Sequence, residues 1–363
     1  MEAVHLERSD ENVREIAALH GMLGSPAGLE GLLDDLKYQA RWSLLPRLLG
    51  RAVRRGIAFD SYDQRDRRWW PQGISTSADS SDDEVVAGAD GQGRRVLVVT
   101  WYSHEVDGVN QGSRVTFLDL DTLRYRHVLL VVPTLDEEGR LVLEPLRVHA
   151  GGIVWIGPWL HIAATSRGFV TARVDDIIAV AGDDERPDDF GVHEGRVHSY
   201  GHHYVLPVRF RYRARSEDPT RRLRHSFMSL SRGSRPPMVV CGEYGRSGQS
   251  TRFASYEIDP VSGMLVTGED GFSRSSGLDE GGIRQMQGVA VVDGTYHVSV
   301  SQGPWLPGSV FTGVPGSLRR HRWAVPMGPE DLSYWPSRDS LWSVTEHPHR
   351  RWVVEMPRSR FSR

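Results

Sequence analysis

The sequence predicts an all-β chain built from repeated four-stranded units, and three observations carry that prediction. Helical periodicity stops near Trp69. From there, short runs rich in Val, Ile, Phe, Tyr and Trp alternate with Gly, Pro and Asp turns. One pattern also recurs: a short polar or glycine motif, a strand, a turn, and a second strand ending in Ser, Thr or Glu.

The first segment, 1–57, differs in kind and reads as a helical extension. Val13, Ile16 and Leu19 are spaced for one helical face, with Ser9 or Asp10 as a cap. A second helix is expected after Ser25 and Pro26, with Leu29, Leu32, Leu33 and Leu36 on its apolar side. Arg47, Arg51, Arg54 and Arg55 follow as a solvated face.

The repeats fill 58–363. The first is "PQGIST…RRVLVVTWYSHE", continued by "RVTFLDL" and "RHVLLVVP". The second is "HAGGIVWIGPWLHIAATSRG", continued by "FVTARV" and "YVLPVRFRY". The third, "RHSFMSLSRGSRPPMVVCGEYG", is less regular and is expected to add "RFASYEID" and "MLVTG". The fourth is "MQGVAVVDGTYHVSVSQG" with "SVFTGVP" and "RRHRWAVP". The last, "PEDLSYWPSRDSLWSVTEHP", has only "RWVVEMP" after it, so its outer strand must come from the N-terminal side, at "IAFDSYD". Such an exchange closes a ring and hides strand edges. The expected architecture is a β-propeller of five four-stranded blades, six being the alternative.

The run from "WWPQGIST" through "WYSHEVDGVNQGSRVTFLDLD" and "HAGGIVWIG" to "GPEDLSYWPSRDSLWSVTE" resembles an actinobacterial, often secreted, group of propeller-like proteins. The resemblance spans roughly residues 58–357 and departs at the N-terminus, where helices stand in place of an export signal. It implies fold and origin and brings no catalytic residues with it.

Composition narrows the function. The formal net charge is −3 and the only lysine is Lys37, which gives no electrostatic case for nucleic acid. The single cysteine, Cys241, lies in an apolar run and is expected to pack as a small hydrophobe. The charged N-terminus lacks the apolar core of a signal peptide, and no run has the ~20 apolar residues of a membrane span. A cytoplasmic protein acting on a small molecule, with no membrane partner, is the expectation; the oligomeric state is left open. No Walker-type loop is present, and "GADGQG" lacks a strand-to-helix setting, so no nucleotide cofactor is expected.

Propeller geometry puts the start of each first strand and the end of each second strand on one face. That gathers Gln72, His149, His225, Gln287 and Glu330–Asp331 with His104, Glu105, Thr165, Glu243 and Glu346–His347 around a central funnel. His149, His225, Glu330, Glu105 and His104 are the candidate acid–base groups. Gln72, Gln287, Glu243, Glu346, Trp101, Tyr102, Trp305 and Tyr334 are the candidate substrate contacts. His149, His225 and Glu330 are the candidate ligands for one divalent metal, Ca²⁺, Mg²⁺ or a transition ion. The "AGDDERPDDFGVHEGRVHSYGHH" segment reads as a solvated loop on the opposite face. The expected function is a lyase, cyclase or hydrolase, with a place in actinobacterial secondary metabolism. The alternatives are a propeller binding a glycan, peptide or protein, and a five-bladed glycosidase using paired carboxylates.

Overall fold

The computed structural model describes residues 4–181, 188–216, 218 and 222–362. From Trp69 on, the chain folds as successive antiparallel units. The first is Trp69–Thr76, Val96–Ser103, Ser113–Asp119 and Arg124–Leu135. The second is Ile153–Ile156, Trp159–Ala163, Gly168–Arg173 and Tyr204–Arg215. The third is Phe227–Ser231, Met238–Gly242, Phe253–Glu257 and Phe272–Asp279. The fourth runs Met286–Val292, Thr295–Val300, Gly308–Val314 and Ser317–Val325. The last has Pro329–Trp335, Ser340–Thr345 and Trp352–Pro357 from the C-terminal end, completed by Arg55–Ala58 from the N-terminal side.

The first strands of these units touch one another in sequence order, and the last of them touches the first. The units therefore surround one axis, which is the architecture of a β-propeller. Their apolar faces pack against each other, with Trp101, Trp155, Trp335 and Trp342 among the largest fully buried side chains.

Of the recurring Q-G, G-G and E-D motifs, those that carry glycine have a steric cause. A Cβ on Gly73 would sit 2.7 Å from the backbone of Gly152, and one on Gly152 would sit 2.2 Å from Met228 N. One on Gly288 would sit 2.4 Å from Asp331 Cα. The innermost strands meet backbone to backbone, which only a residue without a side chain permits. At three of these places the ladder also shifts register: between Pro71 and Ile74, between Met286 and Gly288, and between Pro329 and Leu332. Such bulges re-aim side chains, and here they turn Gln72, Gln287 and Glu330 into the central cavity.

Two expectations need correction. The third unit's outer strand is Phe272–Asp279, not "MLVTG". That stretch is taken up by a turn in which Asp259 accepts from Val261 N and Ser262 Oγ, leaving Leu265 with a single bridge to Ile258. The N-terminal segment is also less helical than expected. Its helices are Val13–Leu23 and Gly28–Asp34, burying Ile16, Leu19, Leu32 and Leu33 while Val13 stays exposed. Ahead of them, His5–Arg8 forms a strand that pairs with both Tyr204–Arg215 and Phe272–Asp279, tying two neighbouring units at their outer edges. No helix among the described residues is long and apolar enough to cross a membrane.

Candidate functional site

At one end of the axis lies a cavity of about 530 Å³. Seven of its lining residues belong to the set gathered from the sequence: Gln72, Tyr102, His149, Thr165, Gln287, Glu330 and Glu346.

Two glutamic acids dominate its chemistry. Glu330 follows the bulge in the last inner strand, and Ser299 Oγ fixes its carbonyl at 2.6 Å. Its carboxyl accepts from Gln287 Nε2 at 3.0 Å. Burial, then the charges of Glu346 and Asp331, push its pKa well above the ordinary carboxylate range. Glu346, at the end of the neighbouring strand, accepts from Gln72 Nε2 at 3.3 Å and has His347 Nδ1 at 3.7 Å. Burial raises its pKa to about 7, against the opposing pull of Gln72 and Arg351. Arg351 is itself buried, and its Nε donates to the carbonyl of Glu346 at 3.1 Å. Both carboxyls are thus biased toward the protonated form, and their mutual repulsion favours the loss of one proton before the other, the sharing that acid–base work uses.

The facing wall is neutral and cationic. His149 is open to the cavity yet enclosed by protein on its other sides. That enclosure, with His104 and Arg246 nearby, lowers its pKa to about 4. Its ring lies 4.5 Å, centroid to centroid, from that of Tyr102. The Tyr102 hydroxyl is 2.6 Å from His104 Nε2, and its pKa is raised by burial and by both glutamates. Arg246, over the Tyr244 ring at 5.9 Å, has no carboxylate partner among the described residues. The Arg224 guanidinium comes within 3.7 Å of Glu243 and donates to Ser250 O at 3.3 Å.

Other candidates lie elsewhere. His225 is fully buried, with Nε2 3.1 Å from Tyr256 Oη and Phe169 packed edge-on against its ring. It contributes backbone bonds to Thr165 and no side chain to the cavity. Glu243 is spent on a two-point ion pair with Arg252, at 2.9 and 3.0 Å. Trp101 faces away from Tyr102, as adjacent strand residues do, and packs between Arg114 and Arg351. Tyr334 sits at the far end of its strand, donating to Asp339 at 3.0 Å. Trp305 is 77% exposed under Arg350, so it walls nothing. His104 and Glu105 line an adjoining concavity rather than the main one. Cys241 is buried, and burial raises its thiol pKa.

The burial of His225 splits the expected metal trio. Among the described residues, no group of three or more His, Cys, Asp or Glu is placed to hold a metal ion. Of the Asp- and His-rich segment, 182–187 lies outside the described residues, while Tyr200, His202 and His203 border an off-axis cavity of about 260 Å³. The buried cations there, Arg114 and Arg126, are already paired, with Asp63 at 2.9 Å and Asp35 at 2.8 Å.

Arg224, Ser226, Arg246 and Gln249 line the main cavity without having been singled out in the sequence. The signal was available: "YGRSGQS" joins the second and third strands of the third unit, and such loops lie on the funnel face.

No protein-family model and no curated protein matches the sequence. Among solved structures, the chain is similar to a gluconolactonase from Xanthomonas campestris at 14% identity and a TM-score of 0.35, covering 89% of this chain and 86% of that one. It is similar to a GH43 enzyme from Xanthomonas citri at 10% identity and a TM-score of 0.39, covering 87% and 93%. It is also similar to a β-xylosidase at 9% identity and a TM-score of 0.33, covering 79% and 91%. At these TM-scores the likeness bears on neither the chemistry nor the substrate of this chain.

Proposed function

We propose that the chain is a five-bladed propeller hydrolase that cleaves a C–O bond of a small, hydroxylated, anionic substrate in the central cavity. The observation that carries this is the pair Glu330 and Glu346: adjacent, nearly enclosed, both lining the cavity, and both with raised pKa values. A surface evolved only to bind has no use for carboxyls held at that cost.

In the proposed reaction Glu346, as carboxylate, takes a proton from a water molecule whose oxygen bonds to the substrate carbon. The C–O bond to the leaving group breaks, and the leaving oxygen takes its proton from Glu330. Proton exchange with solvent then resets both acids. Gln72 and Gln287 orient the two carboxyls. Arg246 supplies the charge that selects an anion. The scheme calls on no metal.

The test is a panel of alkyl glycosides, alkyl uronides and alkyl esters, whose leaving oxygens need a proton, assayed with wild type, Glu330→Gln and Glu346→Gln. The wild type should turn over at least one acidic member, and each variant should lose about 10²–10⁴-fold in kcat. Turnover surviving in both variants, or none by the wild type, overturns the reading.

A further inference from the structure

A second concavity, about 400 Å³, abuts the first and shares two lining residues with it, Tyr102 and His149. Their rings, 4.5 Å apart and tilted by 50°, are the partition between the two. Each space alone falls in the size range of a small-molecule site. The far side of the second is built from His104, Glu105, Asn110 and Arg147.

That wall is rigid. Val106 and Val109 bridge a tight turn, with Asp107 and Gly108 at φ of 54° and 77°. Asn110 is held on both sides, its Nδ2 donating to Ser103 O at 3.0 Å and its Oδ1 accepting from Gly112 N at 2.8 Å. Its carbonyl accepts from Arg147 Nε at 3.4 Å. The ring of His104 packs against Trp70, centroids 4.5 Å apart and planes tilted by 31°. Arg147 is exposed and has no carboxylate partner among the described residues.

Each concavity therefore presents a guanidinium with no carboxylate partner among the described residues: Arg246 in the first and Arg147 in the second. Polar groups suited to hydroxyls, Thr165 and Ser226 on one side and Glu105 and Asn110 on the other, accompany them. We propose that the substrate has two hydroxylated, carboxylate-bearing units joined by the C–O bond to be cleaved. One unit lies in the first concavity with its carboxylate on Arg246. The other crosses the Tyr102–His149 partition and is held by Arg147. This rests on the acid–base reading of Glu330 and Glu346. It adds that the leaving group is itself a recognised unit and that Arg147 sets substrate length.

The test is calorimetric titration of full-length Glu330→Gln protein with galacturonate, a one-unit probe, and digalacturonate, a two-unit probe. Digalacturonate should bind about tenfold tighter or more. Adding Arg147→Ala should remove that advantage, and adding Arg246→Ala should weaken both. Because Arg147 is exposed, an unchanged thermal midpoint is expected for its variant. The proposal is overturned if neither acid binds, if the two bind equally, or if Arg147→Ala leaves their ratio intact. Glu346→Gln that still turns over substrate, alongside a length preference that depends on Arg147, would instead sink the acid–base reading and leave the two-unit site standing.

Discussion

Replacing Glu346 with Gln should stabilise the protein at alkaline pH and leave it unaltered in acid. The folded state holds this carboxyl's proton up to about pH 7, whereas the ordinary value is 4.5. Folding thus retains a proton that the unfolded chain releases, and the associated stability is present below 4.5 and lost as pH rises through 7. At ~1.4 kcal/mol for each tenfold change in the proton equilibrium, the rise from 4.5 to about 7 corresponds to about 3.5 kcal/mol. Only 17% of the Glu346 side chain is exposed, so solvent screening trims this figure without removing it. A glutamine has no charge to bury and keeps an oxygen for Gln72 Nε2. It also removes the repulsion that raises Glu330, which adds to the gain. The assay is urea unfolding of wild type and variant at about pH 4.5 and about pH 8.5, with equal slopes required for comparison. The variant's advantage should be near zero at the lower pH and about 3 kcal/mol at the higher. Equal advantages at both, or a loss at the higher, would refute the claim that Glu346 is a strained acid.

Two structural predictions follow from the same geometry. Gly152→Ala places a Cβ 2.2 Å from Met228 N, against backbone that cannot give way, and should cost about 3 kcal/mol or more by chemical denaturation. Gly233→Ala, with nothing within 4 Å of the new atom, should be neutral in the same experiment. Glu243→Gln leaves Arg252 buried without its charge partner and should cost about 3–5 kcal/mol while leaving the Glu330–Glu346 chemistry intact in whatever remains folded. A large loss of kcat in properly folded Glu243→Gln would return this residue to the active site.

The fold was legible because its cause is repetitive. Every inner strand must approach its neighbours closely, so Gly73, Gly152 and Gly288 recur at equivalent places and announce the ring. The strand His5–Arg8 was invisible for the opposite reason. Four residues with two of them half exposed carry no periodicity, and the partners that fix it lie some two hundred residues away. "MLVTG" was misjudged because an apolar run says nothing of the Asp259 turn that captures it.

The site divides along a similar line. Its position follows from topology alone, which is why Gln72, His149, Gln287, Glu330 and Glu346 converge as their places in the repeats require. The direction of a side chain at a strand end does not follow. His225 and Trp101 turn inward and Glu243 meets Arg252, each decided by a neighbour remote in the repeat pattern or on the next strand. The acidic pair carries the clearest lesson. Gln-Gly stands at two bulges, so Glu330–Asp331 at the third is a departure from a steric rule. Glu330 takes the cavity-facing place of Gln72 and Gln287, where an acid gains chemistry that an amide lacks. Asp331 takes the place of Gly73 and Gly288 and is fully buried facing the Leu332, Ile74 and Ile153 amides, with its pKa raised by that burial. A carboxyl in the slot that packing reserves for glycine has a cost in stability and no packing benefit. The pair is therefore where the demands of the ring yield to those of the reaction proposed for the cavity.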